Sequence, residues 1–189
     1  MPRVCVLLAD GFEEIEAVTI VDVLRRAEVK VTTLGVAGVE VQGSHGIRIR
    51  ADRALAETAD EDWDMVILPG GMPGAATLRD DPKAQALIRS QHGKRGKIAA
   101  ICAAPIALGR AGVLEGKRAT SYPGFEDQLA GASLSAERVV QDGTVTTSRG
   151  PGTALEFALR LVADLKGPGE ASSLAARMLA DLPGDRSLR

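Results

Sequence analysis

Aromatic residues are scarce, at 3% of the chain, with one Trp and one Tyr. That scarcity excludes the stacking platforms of single-strand nucleic-acid binders, and it leaves the core to aliphatic side chains. Histidine is limited to His45 and His92, and neither adjoins a cysteine. A zinc centre needs clustered ligands, and a Cys–His protease needs an imidazole in hydrogen-bond reach of its thiol. The sequence shows neither pattern, so no metal site and no cofactor is expected. Cys5 and Cys102 lie far apart and make no disulfide framework. No sign of charge dominates: 23 basic and 25 acidic residues are mixed throughout, for a net charge of −2. This balance argues against an electrostatic nucleic-acid or membrane surface. No apolar run approaches a membrane span, and Met1 leads directly into a strand, so a cytoplasmic protein is expected.

What is present suffices for one domain over residues 1–189, with 45% apolar residues. The elements alternate as βαβ units, the pattern of a parallel sheet covered by helices. Strands are expected at Arg3–Leu8, Val29–Leu34, Met65–Leu68 and 97–101, with short ones near Val39–Val41, Ile47–Ala51 and Arg118–Thr120. Asp142-Gly143 turns a hairpin over residues 139–147. Helices are expected at Glu13–Ala27, Pro82–His92, after Cys102, at Thr153–Leu165, and at the C-terminus over 171–182.

Cys102 is the most informative residue. It follows the apolar run Lys97-Ile98-Ala99-Ala100-Ile101 at once, and Pro105 sits in the first turn of the next helix. A thiol on such a turn leaves the carboxyl edge of the sheet and rests near a helix N-terminus, where an anion is favoured. An apparent thiol pKa of ~3.5–7.5 is therefore expected, in the range of activated cysteines. Ala103 and Ala104 leave room for a sharp elbow. Cys5 alternates within a buried strand and reads as core.

Glu16 shares a helix face with the apolar Ile20, Val23, Leu24 and Ala27. Either it reaches solvent at the helix end, or it is buried, protonated and shares its proton with a nearby sulfur. The loop before it and the Cys102 turn open onto one sheet edge, which favours the second reading. Pro69-Gly70-Gly71-Met72-Pro73-Gly74 ends another buried strand on that edge, where glycines let backbone N–H groups approach a developing oxyanion. Arg149-Gly150-Pro151-Gly152-Thr153 is either an anion-holding turn or a plain tight turn with a Thr cap.

Four segments together resemble the ThiJ/PfpI superfamily, nearest the branch of the Parkinson-disease protein deglycase. They are Ala9-Asp10-Gly11-Phe12-Glu13-Glu14-Ile15-Glu16, Leu68-Pro69-Gly70-Gly71, the stretch 99–105 around Cys102, and Ser148-Arg149-Gly150-Pro151-Gly152-Thr153. The resemblance runs from Arg3 to about Leu165. It implies a flavodoxin-like α/β sandwich, mainly parallel with helices on both faces, that forms a homodimer. It also implies that Cys102 is the nucleophile, Glu16 the protonated carboxylate beside it, and Gly71 and Ala103 the N–H donors to substrate oxygen. Gly70, Tyr122, Arg26 and His45 fall with the substrate-binding positions, Arg26 near the dimer interface. The chain departs from the family at three of these positions. Ala103 stands where the protease branch has His, Tyr122 where the deglycase branch often has His, and His45 where animal relatives carry an anion-binding Arg from the partner subunit.

The activity implied is a cofactor-independent glyoxalase or deglycase that converts methylglyoxal and related α-oxoaldehydes, or their early adducts, to 2-hydroxy acids. Nucleic acid enters only as a glycated substrate. The alternative from another class is a redox sensor or redox-regulated chaperone whose Cys102 becomes a sulfinate held by protonated Glu16. A third reading is a non-catalytic module with an inert thiol.

Overall fold

The computed structural model describes residues 1–58 and 61–180. In chain order the elements are β1 (Arg3–Leu8), α1 (Glu14–Arg26), β2 (Lys30–Gly35), β3 (Glu40–Gln42), β4 (Arg48–Arg50), β5 (Arg53–Ala54) and β6 (Met65–Leu68). There follow α2 (Gly74–Asp80), α3 (Pro82–Gly93), β7 (Lys97–Ile101), α4 (Pro105–Arg110), β8 (Arg118–Ala119) and β9 (Ser133–Leu134). The chain then forms β10 (Val139–Asp142), β11 (Val145–Ser148), α5 (Ala154–Lys166) and α6 (Pro168–Arg177).

Seven strands form one sheet in the order β10-β11-β7-β6-β1-β2-β5. All neighbours pair parallel except β10 and β11, the expected hairpin, whose Gly143 takes a φ of 62°. Side chains alternate across the pleat and build two cores. Val4, Val6 and Leu8 of β1, with Met65, Ile67, Ala99 and Ile101, pack against α1, α5 and α6. Cys5, Leu7, Val66, Leu68, Ile98 and Ala100 pack against α2, α3 and α4 on the other face. This is the expected α/β sandwich, mostly parallel with helices on both faces. Each fully buried Leu, Ile or Phe contributes roughly 1.5–3 kcal/mol of apolar transfer, which offsets the small aromatic content.

The central strands β1, β6 and β7 are neighbours, with Val6 beside Ile67 and Leu68 beside Ala100. Their carboxyl ends therefore open side by side, and the loops after Leu8, Leu68 and Ile101 converge on one edge.

Several elements differ from expectation. Helix α2 was not anticipated, because Pro73-Gly74 reads as loop; Gly74 instead opens seven helical residues. Strand β5, two residues long, is likewise set only by its pairing with β2. The short strands near 40 and 49 pair with each other as an antiparallel ribbon. The C-terminal helix starts at Pro168 rather than Ala171, since Gly167 at φ 94° ends α5 and Pro168 fits a first helical turn. It ends at Arg177, and the 181–182 end of the expected helix lies outside the described residues. Ala171, Leu174 and Ala175 bury α6 in the first core.

Candidate active site

Cys102 stands at the elbow with a φ of 64°, one of four positive-φ residues other than glycine among the described residues. Such backbone costs of order 1–3 kcal/mol and persists only where its surroundings enforce it. Here both peptide groups are held: the Cys102 N–H donates to the Ser148 carbonyl at 2.9 Å, and its own carbonyl accepts from Tyr122 N–H at 2.8 Å. Ala103 and Ala104 are buried, so larger side chains at the elbow would meet packed neighbours.

Glu16 is 0% exposed, which removes the solvated reading. The Glu13 carboxylate caps α1 by accepting from the Glu16 N–H at 2.7 Å, fixing the first turn. Glu16 Oε2 accepts from Gly70 N–H at 2.7 Å. Its Oε1 meets no hydrogen-bond donor among the described residues, and the carboxyl lies close enough to the Cys102 thiol for each to shift the other's ionisation. Glycine at 70 is required by space. A Cβ there would lie 2.5 Å from Cys102 Cβ and 2.8 Å from Glu16 Oε2. Gly71 takes a φ of 91°, and a Cβ would strike the backbone of the loop before α1, 2.4 Å from Glu13 N. The N–H groups of Ala103 and Gly71 both act on the Cys102 sulfur.

The electrostatics differ from the expectation of an acidic thiol. Burial first, then the charge and hydrogen bond of Glu16, push Cys102 up to about 12 against the pull of the Ala103 and Gly71 N–H groups. Helix α4 begins three residues beyond the sulfur and has only six residues, so its N-terminus does not outweigh burial. The same burial lifts Glu16 to about 7, against the Gly70 N–H and the thiol, with the Glu13 charge adding to the rise. Ionised Glu16 opposes ionisation of the thiol, whereas the neutral thiol favours a charged Glu16, so the pair titrates as a unit. A thiolate at Cys102 accordingly requires the shared proton to reside on Glu16.

The other expected site residues divide into two groups. Gly70, Gly71 and Ala103 surround the sulfur. Tyr122 comes to the same edge through its hydrogen bond to Cys102, lies over Gly150 and makes an edge-on contact with Phe125 at 6.5 Å. Arg26 does not join them: it ends α1, ten residues beyond Glu16, and pairs with Asp22 at 2.7 Å. His45 also stands apart, with its Nδ1 3.0 Å from Glu14 Oε2 and its ring exposed. Cys5 is fully buried, and burial drives its thiol far upward. At 149–153 the tight-turn reading fits: Thr153 Oγ1 accepts from Gly150 N–H at 3.1 Å and bonds Ser148 Oγ at 2.7 Å.

Sequence reasoning missed Glu13 and Glu14 as parts of the site. Both are buried. The Glu13 N–H donates to the Gly70 carbonyl at 2.8 Å, tying the two site loops together. Glu14 is held down to about 2, against its own burial, by His45 and by the N–H groups of residues 45 and 47. The dense Glu run of 13–16 was the available signal. Glu13, Glu14 and His45 bring potential ligand atoms within 4.8 Å of one another, but the Glu14 oxygens already accept four hydrogen bonds.

Comparison with known proteins gives the family and the fold. Drosophila melanogaster protein dj-1beta is 45% identical over 163 residues, covering 85% of this chain and 87% of the relative. The Caenorhabditis elegans glutathione-independent glyoxalase DJR-1.2 is 37% identical over 156 residues, covering 82% and 83%. The solved structure of oxidized Toxoplasma gondii DJ-1 superposes with a TM-score of 0.93 at 37% identity, covering 96% of this chain and 100% of that one. These neighbours share the flavodoxin-like fold. The match to the DJ-1/PfpI family spans residues 2–164, and on that extent the chain belongs to the DJ-1/PfpI family.

Proposed function

We propose that the protein is a cofactor-independent enzyme converting methylglyoxal and related α-oxoaldehydes, or their early adducts with amines and thiols, to 2-hydroxy acids. The observation that carries this reading is the fully buried Glu16 carboxyl against the Cys102 thiol, with one oxygen on Gly70 N–H and the other without a conventional donor. The named activity of the C. elegans relative points the same way.

In this mechanism Glu16 takes the thiol proton as sulfur adds to the aldehyde carbon, forming a C–S bond and a hemithioacetal. The carbonyl oxygen becomes an oxyanion, facing the Gly71 and Ala103 N–H groups until it is protonated. Glu16 then moves a proton from the former aldehyde carbon to the adjacent ketone carbon, leaving a thioester of Cys102. Water cleaves that thioester, giving the 2-hydroxy acid and the free thiol. The sum is substrate plus water, with no external oxidant or reductant. Tyr122, at the position often held by His, offers a phenol at the same edge of the sheet.

Lactate formation from methylglyoxal tests the reading. The wild type should produce it; Cys102→Ala should abolish it while keeping the fold. Lactate formation undiminished in Cys102→Ala would overturn the mechanism. The sensor alternative is favoured by one specific contact, since a protonated Glu16 is placed to donate to an oxidised Cys102, and an oxidized relative shares the fold. It predicts a stable Cys102 sulfinate with no turnover.

The homodimer belongs to the same proposal. Ile15 and Val18 of α1 and Ile47 beside β4 are exposed large apolar side chains, and the Ile47 N–H donates to Glu14 Oε1 of α1 at 3.3 Å; we take this as a surface suited to a second copy. His45 lies within that surface. Among the described residues no helix is long and apolar enough to cross a membrane.

A further inference from the structure

A cavity of about 340 Å³ is lined by residues next in sequence to the backbone partners of Cys102 and is unused by the proposed reaction. Its wall includes Thr120, Ser121, Glu126, Ser135 and Arg149. Ser121 precedes Tyr122, whose N–H holds the Cys102 carbonyl; Arg149 follows Ser148, whose carbonyl accepts the Cys102 N–H. The wall is therefore one residue removed from both backbone partners of the nucleophile.

Arg149 and Glu126 face this cavity with opposite charge, yet form no ion pair within 4.0 Å. Arg149 donates through Nη1 to the Ala136 carbonyl at 3.1 Å, which leaves further guanidinium donors. Glu126 Oε2 accepts from Gly124 N–H at 2.6 Å, which leaves acceptor capacity on its second oxygen. The N–H groups of Glu126 and Gly124, and then the charge of Arg149, keep this carboxyl below its ordinary value and so ionised. Ser121 donates to the Tyr122 carbonyl at 3.2 Å, and Ser135 Oγ accepts from Glu137 N–H at 3.2 Å. Both hydroxyls retain further hydrogen-bonding capacity. Thr120, 2% exposed, carries an Oγ1 with no partner among the described residues. A simple anion would meet Glu126 repulsion, and a simple cation would meet Arg149. A ligand that bears both charges, set a few ångströms apart, satisfies both walls.

We propose that this cavity is a subsite for an α-amino-acid head, its carboxylate on Arg149 and its ammonium on Glu126, with the carbonyl-derived end of the same adduct at Cys102. The proposal rests on the carbonyl-adduct reading of Cys102 and names the substrate class: adducts carried on the side chain of a free amino acid. A guanidinium gives the carboxylate two parallel donors, which a point charge does not.

The test uses three stable thioethers of similar size with the full-length protein: S-methyl-L-cysteine, 3-(methylthio)propanoate and 2-(methylthio)ethylamine. Binding is read by NMR titration of backbone amides. S-methyl-L-cysteine should bind at least fivefold more tightly than either single-charge probe, with the largest shifts at Ser121, Glu126 and Arg149. Arg149→Gln should remove its advantage over the amine, and Glu126→Gln its advantage over the acid. Arg149→Lys should recover part of the loss. Equal affinities for the three probes, or selectivity unchanged in both Gln variants, would overturn the subsite. Probe selectivity in a wild type that forms no lactate would sink the catalytic reading while leaving the subsite standing.

Discussion

Replacing Glu16 by Gln should make the protein less active and, on the alkaline side, more stable. The amide keeps the shape of the carboxyl, and its oxygen can still accept from Gly70 N–H, now 2.7 Å from Oε2. What disappears is titration. Burial lifts Glu16 to about 7 from an ordinary 4.5. A folded-state value above the unfolded one means that the carboxyl's favourable contribution is complete below the unfolded value and is lost as pH rises through the folded one. At ~1.4 kcal/mol per unit, the wild type should lose on the order of 2 to 3 kcal/mol between pH 5 and pH 8 through this group alone. The Gln variant should not. Any cost of leaving amide hydrogens unpaired near Cys102 is the same at both pH values, so the difference isolates the titration. At ~2–4 °C per kcal/mol for a chain of this size, the Tm gap should move by roughly 5–10 °C in favour of Gln from pH 5 to pH 8. Methylglyoxal turnover should fall by roughly 10²–10⁴-fold, the usual worth of an acid–base group. Calorimetry at the two pH values and a lactate assay suffice. A Tm gap independent of pH, or one moving against Gln on the alkaline side, would refute the buried, raised carboxyl. Near-full turnover would refute its role in catalysis.

Gly70→Ala should cut turnover at least 10²-fold with the fold retained, because its Cβ would displace Cys102 and Glu16, and misplacement of about 1 Å costs that much; unchanged kinetics would show the pair to be less tightly set. Mild peroxide should oxidise Cys102 and spare Cys5, which is fully buried in β1; mass spectrometry finding equal modification of both would contradict this. Ile47→Asp should shift the proposed dimer to monomer in sedimentation, since it places a charge in the exposed apolar surface; an unchanged mass would move the interface elsewhere.

The central strands and the elbow were legible because they are local. Lys97–Ile101 is an apolar run ended by a small-residue turn, and no distant contact is needed to read it. The burial of Glu16 was half legible, as helical periodicity placed it on the apolar stripe but left its exposure open. Helix α2 and strand β5 were not legible, since one begins at a glycine after proline and the other exists only through pairing. The thiol's electrostatics were misjudged for a related reason. Sequence shows a helix beginning near Cys102, but burial and an adjacent carboxyl are set by α1 and β6, which are remote in the chain. Arg26 shares the helix of Glu16, and only the length of α1 shows how far it stands from the sulfur.

The elbow also marks a boundary between compartments of the interior. Cys102 packs in the core of α1, α5 and α6, whereas Ala103 and Ala104, the next two residues, pack in the core of α2, α3 and α4. The chain crosses the sheet's edge at the nucleophile itself. Glu16 is anchored in the first compartment, while the N–H of Ala103 belongs to the second. Sulfur, proton carrier and oxyanion donor thus hold their alignment only while the two layers keep their mutual registration. Thiol alkylation rate is then a gauge of interlayer slip, responsive to a cavity cut at Leu24 on one side or at Ile88 on the other, although neither residue is among those that surround the sulfur.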